Sequence, residues 1–215
     1  MKLAQGSNSW ILATFLIGIF FVILSLFLKE LLGSIFLFIS VMLFLMTILF
    51  LVFFRDPERN IGTGIVASAD GKIREISKVR DDDIGECTKI STFMNLHNVH
   101  VNRIPLDGII KDMHHIDGSH FPAFKKESEK NERMVITINT DIGMIKIIQI
   151  AGTLARRIVP YVKNGDMLKK GSRIGLIKLG SRVDIYLPTE KIKHITVKIN
   201  DRIKAGADTI AEIND

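Results

Sequence analysis

The sequence lacks most of the residues and motifs that mark common classes of enzyme. It contains one cysteine, Cys87, which cannot form an internal disulfide or a multi-thiolate metal site and which favours a reducing compartment. It has no glycine-rich phosphate-binding loop, no His-Glu-x-x-His pair, no Gly-x-Ser-x-Gly elbow and no dinucleotide fingerprint. A protease, an ATPase and an ordinary esterase are therefore disfavoured.

Charge is nearly absent from the first quarter of the chain. Residues 1–54 contain only Lys2, Lys29 and Glu30 as charged groups, so the rest of the 215 residues carries 27 of the 29 basic and 22 of the 23 acidic groups, a net charge of +5. This segregation excludes a uniformly soluble protein, and the lack of a long apolar run after Phe54 excludes a polytopic transporter. Isoleucine, valine and leucine occur throughout the polar part, which excludes a disordered chain.

Two apolar runs, residues 10–28 and 31–54, make up most of the N-terminal segment. At about 1.5 Å per residue, each run reaches roughly the 30 Å of a bilayer core. The runs predict a membrane hairpin of two apolar helices over residues 1–54. A buried helical hairpin in a soluble core is the alternative, but neither run has the amphipathic stripe that such a hairpin would need.

The charges that flank the hairpin predict its orientation. Lys2, Arg55 and Arg59 lie on one side, against Lys29 alone in the turn. The positive-inside bias then predicts a cell-membrane protein whose residues 55–215 face the cytoplasm. The positive charge of that domain is spread out and has no aromatic platform, so a membrane surface is a better partner than a nucleic acid.

Residues 55–215 are predicted to form a mainly β domain, which makes the fold class α+β. Alternating patterns over 134–140 and 144–150, joined by Asp141-Ile-Gly143, predict a hairpin, and the same pattern predicts strands over 182–187 and 195–199. Short strands and frequent turns favour a compact sandwich or barrel over a parallel sheet. The segment Val162–Gly175 adds lipoyl-like features, although no lysine stands at a hairpin tip as a lipoyl carrier would need.

The segment from Lys111 to Asn131 is predicted to be a mobile loop, because it is rich in His, Lys and Glu. Its three histidines, His114, His115 and His120, resemble a metal cluster at first glance. We assign them to the loop and predict no metal site.

Several short phrases could carry chemistry, although each has an ordinary explanation when taken alone. Asp-Gly is a turn formula, a histidine on a strand is more often packed than catalytic, and Gly-Ser occurs five times in the chain. The phrases are, in order, Phe53-Phe-Arg-Asp-Pro-Glu-Arg59, Ala69-Asp-Gly-Lys72, Asn98-Val-His-Val-Asn-Arg-Ile-Pro105, Gln149-Ile-Ala-Gly-Thr-Leu-Ala-Arg-Arg-Ile158 and Leu179-Gly-Ser-Arg-Val-Asp-Ile-Tyr-Leu-Pro188.

In this order and after a membrane anchor, the phrases resemble the phosphatidylserine decarboxylase proenzymes, in the short form that includes archaetidylserine decarboxylases. The resemblance covers roughly Phe53 to the C-terminus. It implies a proenzyme that cuts itself between Gly180 and Ser181, leaving a large chain, 1–180, and a small chain, 181–215, as a heterodimer. Ser181 would become a pyruvoyl group, so the family uses neither a metal nor pyridoxal phosphate.

The resemblance also implies the reaction and the roles of individual residues. The pyruvoyl group would form a Schiff base with the serine headgroup of a membrane phospholipid, which loses CO2 and becomes the ethanolamine lipid. Asp70 would assist self-cleavage, and His100 would act as a proton donor or base. Arg103 stands where longer family members have a second histidine. Arg156, Arg157 and Arg103 are candidates for binding the lipid phosphate or carboxylate.

Two rival interpretations remain at this point. One is a non-enzymatic, membrane-anchored, lipoyl-like adaptor in which Gly180-Ser181 is a plain turn. The other is a relative that is processed but inactive. Within the enzymatic interpretation, the sequence does not distinguish a diacyl ester lipid from an archaeal ether lipid, because headgroup chemistry is the same for both.

Overall fold

The computed structural model describes residues 2–28, 30–119, 121, 130–152, 158–177 and 181–214. The chain divides into two units, Met1–Pro57 and Glu58–Asp215. The first unit contains the helices, and the second contains almost all of the β structure. This agrees with the predicted order of two apolar helices followed by a mainly β domain.

The first unit is a helical hairpin with a short β pair at its base. Helix α1 is Asn8–Phe27 and helix α2 is Glu30–Phe53. Strand β1, Lys2–Leu3, pairs antiparallel with β2, Arg55–Asp56, which joins the two ends of the hairpin. Both helices are long and apolar enough to cross a membrane.

Contacts between small and polar residues hold α1 against α2. The Thr47 hydroxyl donates to the Thr14 hydroxyl at 2.9 Å. A Cβ at Gly18 would lie 3.0 Å from the ring of Phe44, so the missing side chain lets the two helices approach closely. Small residues and interhelical hydrogen bonds are the usual means by which membrane helices associate.

The second unit is organised around an antiparallel sheet of eight strands, which curls into a half-barrel. The strand order is β11-β7-β8-β9-β13-β5-β4-β15. In that order the strands are Met167–Leu168, Gly108–Ile116, Arg133–Thr140, Gly143–Ala151, Ser181–Pro188, Gly85–Met94, Gly71–Asp81 and Arg202–Ile203.

Two three-stranded sheets complete the second unit. One has the order β10-β12-β6, which are Ile158–Pro160, Arg173–Ile177 and Val101–Arg103. The other has the order β14-β16-β3, which are Ile192–Ile195, Thr209–Ile213 and Ile65–Val66. Isoleucines from all three sheets make most of the buried core, because alternate residues of each strand face inward.

The structure confirms some of the predicted strands and corrects others. The predicted hairpin is β8 and β9, with Thr140 paired to Gly143. The prediction of a loop from residue 111 onward was wrong in its first part, because β7 continues to Ile116. A register shift between Ile110 and Asp112 breaks the alternation that would have revealed this strand.

The predicted strand over 195–199 was also misplaced, since β14 ends at Ile195 and the alternating residues that follow it form no described strand. The lipoyl-like detail of the predicted fold is not confirmed. The curled sheet is the feature that positions the candidate site.

Candidate functional site

Ser181 is the first residue of the central strand β13 and is completely buried. It pairs with Met94 at the end of β5 on one side and with Ala151 at the end of β9 on the other. Seven further residues of β13 continue the pairing with β5. The serine therefore lies at one end of β13, between the ends of the two neighbouring strands.

The Ser181 hydroxyl donates to the thioether of Met94, with Oγ 3.2 Å from Sδ. Met94 is also completely buried. A thioether sulfur is a weak acceptor, so this bond orients the hydroxyl without holding its proton strongly.

A pair of buried amides lies behind Met94. The Asn102 Nδ2 donates to the Met94 sulfur at 3.7 Å, and the Gln149 Nε2 donates to the Asn102 Oδ1 at 2.7 Å. Both amides are completely buried. Gly175 makes room for Gln149, because a Cβ there would lie 3.2 Å from the Gln149 Nε2.

His100 lies just before β6 and is also completely buried. Its Nδ1 is 2.9 Å from the Asn98 carbonyl, which can only accept a hydrogen bond. In its neutral form, the ring therefore carries its proton on Nδ1 and its lone pair on Nε2. His100 and Asn102 are two residues apart on an extended segment, so they project to the same side.

Strand β12 ends beside His100. Ile177, the last described residue before Ser181, donates its backbone N–H to the His100 carbonyl at 3.3 Å. Gly180, the other residue of the predicted cleavage site, lies outside the described residues, as do Arg156 and Arg157.

Asp70 is held in a different way from the other predicted site residues. Arg59 donates to both of its carboxylate oxygens, at 2.6 and 2.8 Å, and the backbone N–H of Ala205 donates to Oδ1 at 2.8 Å. Arg59 also donates to the Ala205 carbonyl at 3.0 Å. Asp70 thus ties a residue near the C-terminus to the segment that follows the helices.

Asp70 lies next to a strand that does not adjoin that of Ser181. It precedes β4, and β5 separates β4 from β13. At roughly 4.8 Å per strand, β4 and β13 lie about 10 Å apart. With both carboxylate oxygens bound, Asp70 is better placed to act as a fixed charge than to deprotonate Ser181 directly.

Arg103 projects to the opposite face of β6 from Asn102. Its guanidinium donates to the Gly171 carbonyl at 2.9 Å, and its side chain passes Gly206. The side chain is buried. The Arg103 guanidinium thus joins β6 to the loop that contains Gly171.

Charged residues occupy the other face of the sheet beneath Ser181. Arg182 donates to the Asp184 carboxylate at 2.7 Å, and the Lys89 ammonium lies 3.9 Å from the same oxygen. Burial raises the pKa of Asp184, and the nearby Arg182 opposes this effect. Because side chains alternate along β13, this ion cluster is separated from Ser181 by the sheet itself.

The histidines assigned to the mobile loop divide between two regions. His114 and His115 lie on β7, where His114 Nδ1 is 2.7 Å from Asp112 and His115 Nε2 is 3.0 Å from Glu132. His120 lies outside the described residues. Within the described part of the chain, no group of three His, Cys, Asp or Glu side chains is arranged to hold a metal ion.

Sequence reasoning missed four residues of this region: Arg59, Met94, Asn102 and Gln149. Gln149 carried a signal, because it is a polar residue at an inward position of an otherwise isoleucine-rich strand. Asn102 carried a signal too, because it is a polar residue two positions after His100 and so projects to the same side of the chain. Met94 and Arg59 carried none, since their contacts are with residues that only the folded chain brings close.

Comparison with known proteins matches most of the chain. The profile of the family described as phosphatidylserine decarboxylase matches residues 46–211. A phosphatidylserine decarboxylase proenzyme of Streptomyces avermitilis is 48% identical over 159 residues, 74% of this chain and 71% of that protein. A protein of Methanococcoides burtonii, provisionally named an archaetidylserine decarboxylase proenzyme, is 39% identical over 214 residues, 98% of this chain and 96% of that protein.

Proposed function

Because the chain belongs to the phosphatidylserine decarboxylase family, we propose that it converts a serine-headgroup phospholipid to the ethanolamine lipid and is made as a self-cleaving proenzyme. The observation that carries this proposal is Ser181, buried at the start of the central strand, with its hydroxyl on a weak acceptor. The family assignment disfavours the adaptor alternative.

Self-cleavage would begin at the Ser181 hydroxyl. Its oxygen would attack the Gly180 carbonyl carbon and break the peptide bond, so that the amide becomes an ester and the nitrogen of residue 181 becomes a free amine. His100 is the candidate base, because the lone pair of its neutral ring is on Nε2. Its Nδ1 proton is held by the Asn98 carbonyl throughout.

The ester would then be lost by elimination. A base removes the α-proton of residue 181, the bond between Cβ and Oγ breaks, and Gly180 leaves as a carboxylate. Hydrolysis of the resulting dehydroalanine releases ammonia and leaves a pyruvoyl group at the new N-terminus. Water is the only co-reactant that these steps need.

The residues around position 181 fit a pyruvoyl group. The group carries a methyl in place of the hydroxymethyl of serine, and the thioether of Met94 can pack against a methyl as well as accept a hydroxyl. Pairing of β13 with β5 and β9 would keep the new terminus in place after the cut. When bound to substrate, the pyruvoyl carbonyl supplies an electrophile for the headgroup amine and a sink for the electrons left by CO2.

The anchor is consistent with this substrate class. A lipid with two long chains stays in the bilayer, so its headgroup must be processed at the membrane surface. We propose that α1 and α2 span the membrane and that the β unit faces the cytoplasm, as the flanking positive charges predict.

The test is decarboxylation by the purified protein in lipid nanodiscs. Nanodiscs would contain a diacyl ester or an ether lipid, each with a carboxyl-labelled serine headgroup. We expect labelled CO2 and the ethanolamine lipid from at least one substrate, and neither from Ser181→Ala. A wild-type protein that is cut at residue 181 but releases no CO2 from either lipid would show that it is processed and inactive.

A further inference from the structure

We propose that Met94 is a catalytic residue of self-cleavage, whose sulfur holds the Ser181 hydroxyl before the cut and whose side chain forms the wall for the methyl group of residue 181 afterwards. The inference rests on the proposed self-cleavage. No motif pointed to Met94, which lies 87 residues before Ser181 in the sequence.

Met94 holds Ser181 through the main chain as well as the side chain. The Ala151 N–H donates to the Glu132 carbonyl, and the Ala151 carbonyl accepts from the Asn131 side chain, so both backbone groups of Ala151 are directed away from Ser181. Hydrogen-bonded and non-hydrogen-bonded pairs alternate across an antiparallel strand. The backbone N–H and carbonyl of Ser181 therefore face Met94.

The weakness of the acceptor matters for the reaction. To attack Gly180, the hydroxyl must release its proton to a base, and any hydrogen bond it already makes resists that transfer. A carbonyl or carboxylate acceptor would hold the proton more strongly than the Met94 sulfur does. The thioether restricts the Ser181 side chain to one χ1 rotamer. Because the hydrogen bond to sulfur is weak, the hydroxyl proton stays available to the base.

The amide pair gives the sulfur a defined position. Methionine is a flexible side chain that adapts to gaps, so a sulfur that must meet one hydroxyl needs support. The Asn102 Nδ2 supplies it, and the Gln149 Nε2 fixes which end of the Asn102 amide faces Met94. Asn102 and Gln149 are thus positioning residues that act through Met94.

The experiment compares two substitutions with a matched control. Met94→Leu keeps the volume but removes the acceptor, whereas Met94→Gln provides a stronger acceptor. Met134→Leu is the control, because Met134 is buried on the same face of the sheet but pairs with Gln149 and not with Ser181. Each precursor is made by a short cell-free synthesis into nanodiscs, and its conversion to two fragments is followed over time.

We expect Met134→Leu to be cut at the wild-type rate. Met94→Leu should be cut about 3- to 10-fold more slowly, because the hydroxyl then samples all three staggered rotamers. Met94→Gln should be cut about tenfold more slowly or worse, because the carboxamide retains the hydroxyl proton. Thermal unfolding of each variant, combined with Ser181→Ala to keep the chain uncut, checks that it folds. If Met94→Gln does not fold, the rate of Met94→Leu decides whether Met94 contributes to cleavage, because that change conserves volume.

A Met94→Leu rate equal to that of Met134→Leu would overturn the proposal. A wild-type precursor that is never cut would instead overturn the proposed function, so the two failures are distinct. A second measurement needs no turnover. In mature protein labelled at serine Cβ and methionine Cε, we expect a nuclear Overhauser contact between the methyl of residue 181 and that of Met94. If this contact is absent while contacts between other buried methyls are present, the second half of the proposal is contradicted.

Discussion

Gln149 and Asn102 share a hydrogen bond of 2.7 Å although both side chains are completely buried. Burying amides is costly unless they are hydrogen-bonded, and apolar residues would fill the same space at lower cost. The pair is therefore better explained by its position behind Met94 than by its contribution to folding.

This explanation predicts that stability and self-cleavage respond differently to the same changes. Asn102→Leu or Gln149→Leu alone leaves one buried amide unsatisfied and should lower the free energy of unfolding by about 1–3 kcal/mol. The double variant removes both amides and should recover most of that loss. Its self-cleavage should stay slow, because Met94 remains unsupported.

Urea unfolding of each variant in the Ser181→Ala background measures the stability, and fragment formation with Ser181 present measures the cleavage. A double variant that recovers both stability and cleavage rate would limit the amide pair to a structural role.

His100 is expected to be essential for self-cleavage. His100→Ala removes the candidate base and should slow fragment formation by about 100-fold or more, since general bases contribute that much to many reactions. His97→Ala is the control, because His97 is three residues earlier and exposed. Equal rates for the two variants would exclude His100 as the base.

Lys146 should make a pH-dependent contribution to stability. Its ammonium is 2.7 Å from oxygens of both Asp81 and Asp83. Burial opposes the charge on Lys146, but the hydrogen bonds to the two aspartates outweigh this and raise its pKa above the ordinary 10.5. The same ammonium lowers the pKa of Asp83 below its ordinary 3.8.

These directions set the pH window of the effect. Because the pKa of Asp83 is lowered in the folded state, its contribution to stability is present above about pH 4 and is lost as the pH falls. Because the pKa of Lys146 is raised, its contribution is present below about pH 10.5 and is lost as the pH rises further. Lys146→Met should therefore lower the free energy of unfolding most near neutral pH, by about 1–3 kcal/mol. Lys169→Met, in the exposed pair with Asp107, should change it little at any pH.

The proposed membrane orientation can be tested by cysteine labelling. In a Cys87→Ser background, Leu28→Cys lies between the two helices and Asn60→Cys follows the hairpin. A membrane-impermeant thiol reagent added to intact cells should label the first and not the second until the membrane is opened. Labelling of Asn60→Cys in intact cells would place the β unit outside.

The sequence sufficed for elements that are determined locally. Uninterrupted apolar runs predicted α1 and α2, and strict alternation on both sides of Asp141-Ile-Gly143 predicted the β8–β9 hairpin. Strand β7 escaped notice because its bulge shifts the inward residues by one position, from Ile110 to Met113.

The candidate site could be predicted only as a set of separate residues. Ser181 and His100 were predicted from motifs, but the contact of Ser181 with Met94 depends on the pairing of β13 with β5. The contact of Asp70 with Ala205 likewise joins positions 135 residues apart. Such contacts follow from the register of the folded sheet, which one sequence does not specify.

The most direct test of the account is the intact mass of the purified wild-type protein beside Ser181→Ala. We expect two wild-type fragments of 180 and 35 residues, the smaller with a blocked N-terminus that reacts with carbonyl reagents, and an uncut 215-residue chain from the variant. A wild-type protein that remains a single 215-residue chain with an ordinary serine at position 181 would contradict the account.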